Sequence, residues 1–212
     1  MNFLRHLDDR LLLAINTFAR HTGWLHGPVL AYANYGLLMF AALLITALAL
    51  ARHRDSRRLA AAGWTTVATL TAVALNQPVG NAVGEARPYA THPGLLRLAS
   101  ATSDFSFPSD HAVMAGAVAA GLLLVSRRLG LIAVVLAVVM AFARVYIGAH
   151  YPWDVAAGLG LGASVAGFGW LVLRRPLVAL TAWLRALPLL RSLFAARTTA
   201  GVQTLTAGRA RP

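Results

Sequence analysis

The chain has 212 residues, enough for one domain, and it is 58% hydrophobic and 12% charged with a mean hydropathy of +0.63. Soluble domains carry about a quarter charged residues, so this composition points to an integral membrane protein. The net charge of +12 is carried by arginine without a single lysine, no basic stripe with interleaved aromatics suggests nucleic acid, and the absence of cysteine excludes disulfides and thiolate chemistry.

Residues 3–18 place Phe3, Leu4, Leu7, Leu11, Ile15 and Phe18 at steps of three and four, with Arg5, Asp8, Asp9 and Asn16 mostly elsewhere on the wheel. The spacing predicts an amphipathic helix, too charged to span, lying in the membrane interface or packing on the bundle. Asp8 and Asp9 fall where the apolar core of a cleaved signal peptide would stand. Five apolar runs follow, at 27–51, 59–78, 111–126, 129–147 and 155–173. A spanning helix needs about 20 residues, and the short third run gains length if it begins at Pro108. In the fifth, Gly158, Gly162 and Ala166 recur every four residues, which allows close helix packing. Residues 176–195 are amphipathic again and broken by Pro188, and the tail from Thr198 reads as disordered. The fold expected is all-α: a polytopic membrane helical bundle of about five transmembrane helices with N- and C-terminal amphipathic helices. Its parts are an interfacial helix (1–22), a transmembrane core (23–175) and a cytoplasmic amphipathic segment with a tail (176–212).

The arginines set the topology. The link 52–58, the pair Arg127 and Arg128, and the pair Arg174 and Arg175 all fall on one side, which the positive-inside rule makes cytoplasmic. The links 79–107 and 148–154 then face outward. They carry Glu85, Arg87, Asp104, His150 and Asp154, with Asp110 and His111 just beyond. Polar groups at the mouth of membrane helices are costly and mark function. In the stretch 143–154, Arg144 can grip phosphate oxygens through its planar fork, His150 can attack phosphorus, and Asp154 can hold the imidazole. Arg87 or Arg144 alone would read as a snorkelling anchor. Asp110 reads equally as a helix N-terminal charge or a functional group, and Glu85, the single glutamate, as a partner of an arginine or of a substrate-bound cation. Tyr146, Tyr151 and Trp153 read as interfacial aromatics, and His92 and Asp104 as loop residues.

Three clusters, GEARPY at 84–89, FPSDH at 107–111 and ARVYIGAHYPWD at 143–154, resemble the three-part signature of the type 2 phosphatidic acid phosphatase superfamily. Arg87 and Pro88 match its first motif, Pro108, Ser109 and His111 its second, and Arg144, His150 and Asp154 its third. Gly80 stands in place of the superfamily's lysine, Asp110 in place of a glycine, and Ala143 in place of a serine. The form FPSDH is similar to the bacterial undecaprenyl-diphosphate phosphatase branch.

The resemblance implies a lipid phosphatase in which His150 is the nucleophile and Asp154 orients it. Arg87, Ser109 and Arg144 bind the phosphate, and His111 serves as acid and base. It implies no metal and no other cofactor. The expected reaction is hydrolysis of undecaprenyl diphosphate at the outer face of a bacterial plasma membrane, recycling the carrier lipid of the cell wall. Two alternatives stand beside it. One is a phosphatase of another lipid phosphate: phosphatidic acid, phosphatidylglycerol phosphate or a polyprenyl-linked sugar phosphate. The other is a non-catalytic lipid transporter or scaffold. The expected partners are the lipid substrate and the bilayer, with no nucleic acid and no oligomeric state assigned.

Overall fold

The computed structural model describes residues 2–188, with side chains described from Arg5 onward. All regular structure among the described residues is helical. Helix α1 (Asn2–His21) leads through a 3-10 turn (Gly23–Leu25) to α2 (His26–Tyr35) and α3 (Leu37–Ala51). Then come α4 (Ser56–Val83), a single turn α5 (Pro88–Thr91), α6 (Asp110–Val125), α7 (Arg127–Tyr146) and α8 (Pro152–Ala186).

The five apolar runs are accounted for. Helices α4, α7 and α8 are each long and apolar enough to cross a membrane. The first run is a pair, α2 and α3, bent by 48° at Gly36. A side chain at Gly36 would collide with the carbonyl of Tyr32 and the methyl of Met140, so the bend sits where two helices touch. Helix α6 begins at Asp110 rather than Pro108 and is a shorter apolar helix of 16 residues. Residues 176–186, expected as the start of a separate amphipathic segment at 176–195, continue α8 through Pro176, and residues 189–195 with the tail from Thr198 lie outside the described residues. Arg185 at the end of α8 donates to the carbonyls of Arg54 (2.6 Å) and Arg52 (3.3 Å), so the basic end of α8 meets the basic link between α3 and α4.

Helix α6 is the central post, packed against α4, α7 and α8. The glycine stripe explains how closely. A Cβ on Gly162 would run into the carbonyl of Val113, one on Gly158 would lie 2.8 Å from the carbonyl of Ser109, and one on Gly116 would strike Leu159. Helices α6 and α8 therefore meet backbone to backbone, and their register is fixed by contacts that tolerate no side chain.

Helix α1 does more than lie along the bundle. Its buried Leu12 and Ala19 pack inward. Asn16 donates to the Leu96 carbonyl (2.8 Å) and accepts from the Leu96 amide (3.1 Å), and Arg20 donates to the carbonyl of Gly94. Asp8 accepts the Trp153 amide at 2.9 Å, satisfying a free N–H in the first turn of α8. The helix thus belts the loop 92–99 and the start of α8 together.

Candidate active site

The turn between α7 and α8 holds the first half of the site. Gly148 takes φ +73°, where a Cβ would meet the Leu96 carbonyl, and Pro152 opens α8, so the chain reverses within five residues. That reversal carries His150 into a nearly solvent-free position, 2% exposed. Its Nδ1 lies 2.8 Å from the carbonyl oxygen of Ser106. A carbonyl can only accept, so Nδ1 carries the proton and Nε2 keeps its lone pair. Two cations agree with that tautomer. Arg87 Nη1 donates to Nε2 at 3.2 Å and Arg144 Nη2 at 3.3 Å. Burial pushes the imidazole below its ordinary value of 6.5, the two guanidiniums push the same way, and the Asp154 carboxylate opposes them.

Asp154 supports this arrangement at one remove. Its Oδ2 is 3.5 Å from His150 Nδ1, longer than the contact with Ser106. It accepts instead from the Ser106 hydroxyl (2.5 Å) and the Tyr151 amide (2.9 Å). Ser106 is therefore a hub. Its amide donates to the Glu85 carbonyl (2.8 Å), its hydroxyl to Asp154, and its carbonyl accepts from His150. Nothing in the sequence marks this residue: it is one serine in a loop rich in serine and threonine, and the atom that matters most belongs to the main chain.

The two arginines are held differently. Arg87 donates to the Ala149 carbonyl (2.9 Å), to the Asp104 carbonyl (3.3 Å) and to the Asp104 carboxylate (2.8 Å). Asp104, read from the sequence as a loop residue, is its ion partner. Burial alone would raise the Asp104 carboxyl, but hydrogen bonds from Thr102 and Arg87 override it and hold the group low. Arg144, at the end of α7, has a buried Nε with no protein acceptor.

The N-terminus of α6 closes the other side. Ser109 is its N-cap, yet the hydroxyl makes no capping bond and is buried without a partner. His111, one residue inside the helix, faces Arg144, His150 and Arg87. Asp110 serves the structure: it accepts from Asn76 (2.6 Å) and Gln77 (3.3 Å) and pins α6 to α4. The groups around Glu85 are the Asp154 and Asp8 carboxyls and the Arg5 guanidinium, with the Asp154 carboxyl in hydrogen-bonding contact. Tyr146 and Tyr151 are buried, not interfacial, their hydroxyls bonded to Thr22 and Thr91, while Trp153 is exposed. Arg87, His111, Arg144 and His150 line one cavity of about 290 Å³. Its chemistry suits an oxyanion: two guanidiniums, a helix N-terminus and a neutral imidazole whose Nε2 lone pair faces both guanidiniums.

A family model described as the PAP2 superfamily matches residues 61–176. The chain belongs to the PAP2 superfamily. It is 30% identical over 154 residues to the bacitracin transport permease protein BcrC of Bacillus licheniformis, covering 73% of this chain and 74% of that protein. It is 28% identical to the undecaprenyl-diphosphatase BcrC of Bacillus subtilis, covering 76% and 81%. It is 41% identical over 123 residues to the decaprenylphosphoryl-5-phosphoribose phosphatase of Mycobacterium tuberculosis, covering 58% and 64%. Its fold matches the crystal structure of a transmembrane PAP2-type phosphatidylglycerolphosphate phosphatase from Bacillus subtilis, with a TM-score of 0.62 at 21% identity over 83% of this chain and 88% of that one. The protein is a membrane lipid phosphatase, which sets aside the non-catalytic alternative.

Proposed function

We propose that the protein hydrolyses a polyprenyl diphosphate, undecaprenyl diphosphate in the first instance, to the monophosphate and inorganic phosphate. The observation that carries the chemistry is the His150 imidazole, with Nδ1–H bound to the Ser106 carbonyl and Nε2 turned towards Arg87 and Arg144. Nε2 attacks the terminal phosphorus, and the N–P bond forms as the P–O bond to the departing lipid phosphate breaks. Arg87, Arg144, Ser109 and the α6 N-terminus take the charge on the equatorial oxygens. Water then cleaves the phosphohistidine, with His111 accepting its proton. The relative named undecaprenyl-diphosphatase BcrC supports the diphosphate. The arginine-rich links at the opposite end of the bundle support a site on the extracytoplasmic face of a bacterial plasma membrane, where the product would re-enter the carrier cycle of the cell wall.

One observation favours a second substrate, a polyprenyl-linked sugar phosphate. Beside the phosphate cavity lies another of about 210 Å³, lined by Asn76, Gln77, Asn81, Asp104, Phe105 and Asp110. Gly80 in its wall stands where the superfamily's motif carries lysine. Amides and carboxylates without a cation suit sugar hydroxyls better than a second phosphate. The 41%-identical relative is named for such a substrate.

Phosphate release by purified protein in detergent with EDTA separates these readings. Undecaprenyl diphosphate, a polyprenylphosphoryl pentose 5-phosphate and phosphatidic acid are compared, with His150→Ala as the control. Preference for the diphosphate, lost in the mutant, supports the first reading; preference for the pentose phosphate moves the function to the second. Activity that survives His150→Ala would sink both. Leaving groups give a further check: a phosphate with a second pKa of about 6 departs readily, whereas an alcohol needs a proton. His111→Ala is therefore expected to harm alcohol-releasing substrates more than the diphosphate.

A further inference from the structure

Asp154 is fully buried, and its two oxygens are served unequally. Oδ2 accepts two protein donors, the Ser106 hydroxyl and the Tyr151 amide. Oδ1 is sealed from solvent and receives none of these. A buried carboxylate oxygen without a donor carries its full desolvation cost, so a donor beside it is strongly favoured. Ser106 bridges Asp154 to Glu85, its hydroxyl on the Asp154 carboxylate and its amide on the Glu85 main-chain carbonyl, so the carboxyl brought beside Asp154 is that of Glu85, the single glutamate in the chain, carried by the loop that follows α4. Two facing carboxylates in a partly buried site do not both ionise readily, and a shared proton is the usual resolution. Because Oδ2 is already bound by two donors, the donor that Oδ1 lacks would come from the Glu85 carboxyl.

We propose that Glu85 is a positioning residue held in its neutral form, whose carboxyl O–H donates to Asp154 Oδ1. The proposal goes beyond the phosphatase reading and needs it only for the effect on rate. The pair fixes the Asp154 carboxylate from both sides. Ser106, bound to Asp154 through its hydroxyl and to Glu85 through its amide, is locked between them, and its carbonyl sets the imidazole tautomer. Ionising Glu85 would remove the donor and place a second negative charge behind His150. The charged and titratable groups facing Glu85 are Asp154 on α8, Tyr151 just before it, and Asp8 and Arg5 on α1; of these only the exposed Arg5 favours ionisation.

The test compares wild type, Glu85→Gln and Glu85→Ala as full chains in detergent. Infrared difference spectra of wild type against Glu85→Gln at neutral pH read the proton directly. A neutral-carboxyl C=O band, shifted in deuterium oxide and absent from the variant, is expected. On the polyprenyl diphosphate, wild-type kcat should fall on the alkaline side as Glu85 ionises. Glu85→Gln, which keeps an N–H donor but cannot titrate, should stay within about threefold of wild type and lose that fall. Glu85→Ala should lose about tenfold in kcat with little change in KM. A carboxylate band in place of the neutral one overturns the proposal, as does an alkaline fall that persists in Glu85→Gln. If no lipid phosphate proves to be a substrate, the infrared band still decides the proton.

Discussion

The site is built from two regions that solve different problems. The turn from Arg144 to Asp154 is short, clamped at both ends by long helices, and supplies the reacting nitrogen. The loop from Gly84 to Ser109 is long and mostly irregular, and it supplies the hydrogen bonds that hold that nitrogen in one state. The two arginines show the contrast. Arg87, on the loop side, has all three of its nitrogens occupied by Asp104, Ala149 and His150. Arg144, on the helix side, has a buried Nε that nothing in the protein satisfies. The loop arginine is both charge and strut, whereas the helix arginine has hydrogen-bonding capacity left for a phosphate.

That contrast can be broken by substitution. The largest effect is expected from Arg144→Ala: a kcat loss of about 10²–10³, with the melting temperature in detergent little changed. Arg144→Lys should recover little, because a point charge cannot replace a bidentate fork. Arg87→Ala should also reduce activity but lower the melting temperature as well, since it removes the ion partner of Asp104 and the donor to the Ala149 carbonyl. Equal thermal effects from the two alanines would contradict the division of labour.

Gly162→Leu probes what both regions share. Its side chain would drive α8 away from Val113 and shift His150 relative to Ser109. A destabilisation of about 1–3 kcal/mol is expected by denaturant melting, with activity falling further than the folded fraction. Ser106→Ala should act more gently. It removes the hydroxyl on Asp154 but keeps the carbonyl on His150, so a loss near tenfold in kcat is expected.

The smallest effect is on pH dependence. Burial lowers His150, so its neutral form persists below 6.5, and the acid limb of kcat/KM should lie below that ordinary value. The sign for stability agrees: a depressed histidine contributes stability at neutral pH that is lost as pH falls towards its folded value. An acid limb at or above 6.5 would argue against His150 as the group titrating there.

The helix-borne half of the site is legible in the sequence because charge is conspicuous against an apolar background. Arg144, His150 and Asp154 interrupt long hydrophobic runs at fixed spacing, and His111 and Ser109 mark a helix start. The belt formed by α1 is half visible, since amphipathic periodicity shows a helix but not that Asn16 and Asp8 bond across the fold. The loop half is opaque. Asp104 reads as a loop residue, Ser106 carries no mark, and nothing near Glu85 in the sequence points to the Asp154 carboxyl beside it. Their roles depend on tertiary placement, across 17 positions between Arg87 and Asp104 and 44 between Ser106 and His150, and no local period encodes that. The short α6 has a different cause: the chain turns helical only after Ser109, past the proline that would have lengthened it.

The contact that fixes the His150 tautomer has an evolutionary corollary. A main-chain carbonyl cannot be deleted by point mutation, and serine, alanine or glycine at position 106 would all present the same oxygen. The feature that readies the imidazole for attack is thus insulated from drift at its own residue. Lineages can lose the hydroxyl, and with it some rate, without losing the reaction. An engineer who wants to turn that nitrogen off must reshape the path of the loop rather than edit a side chain.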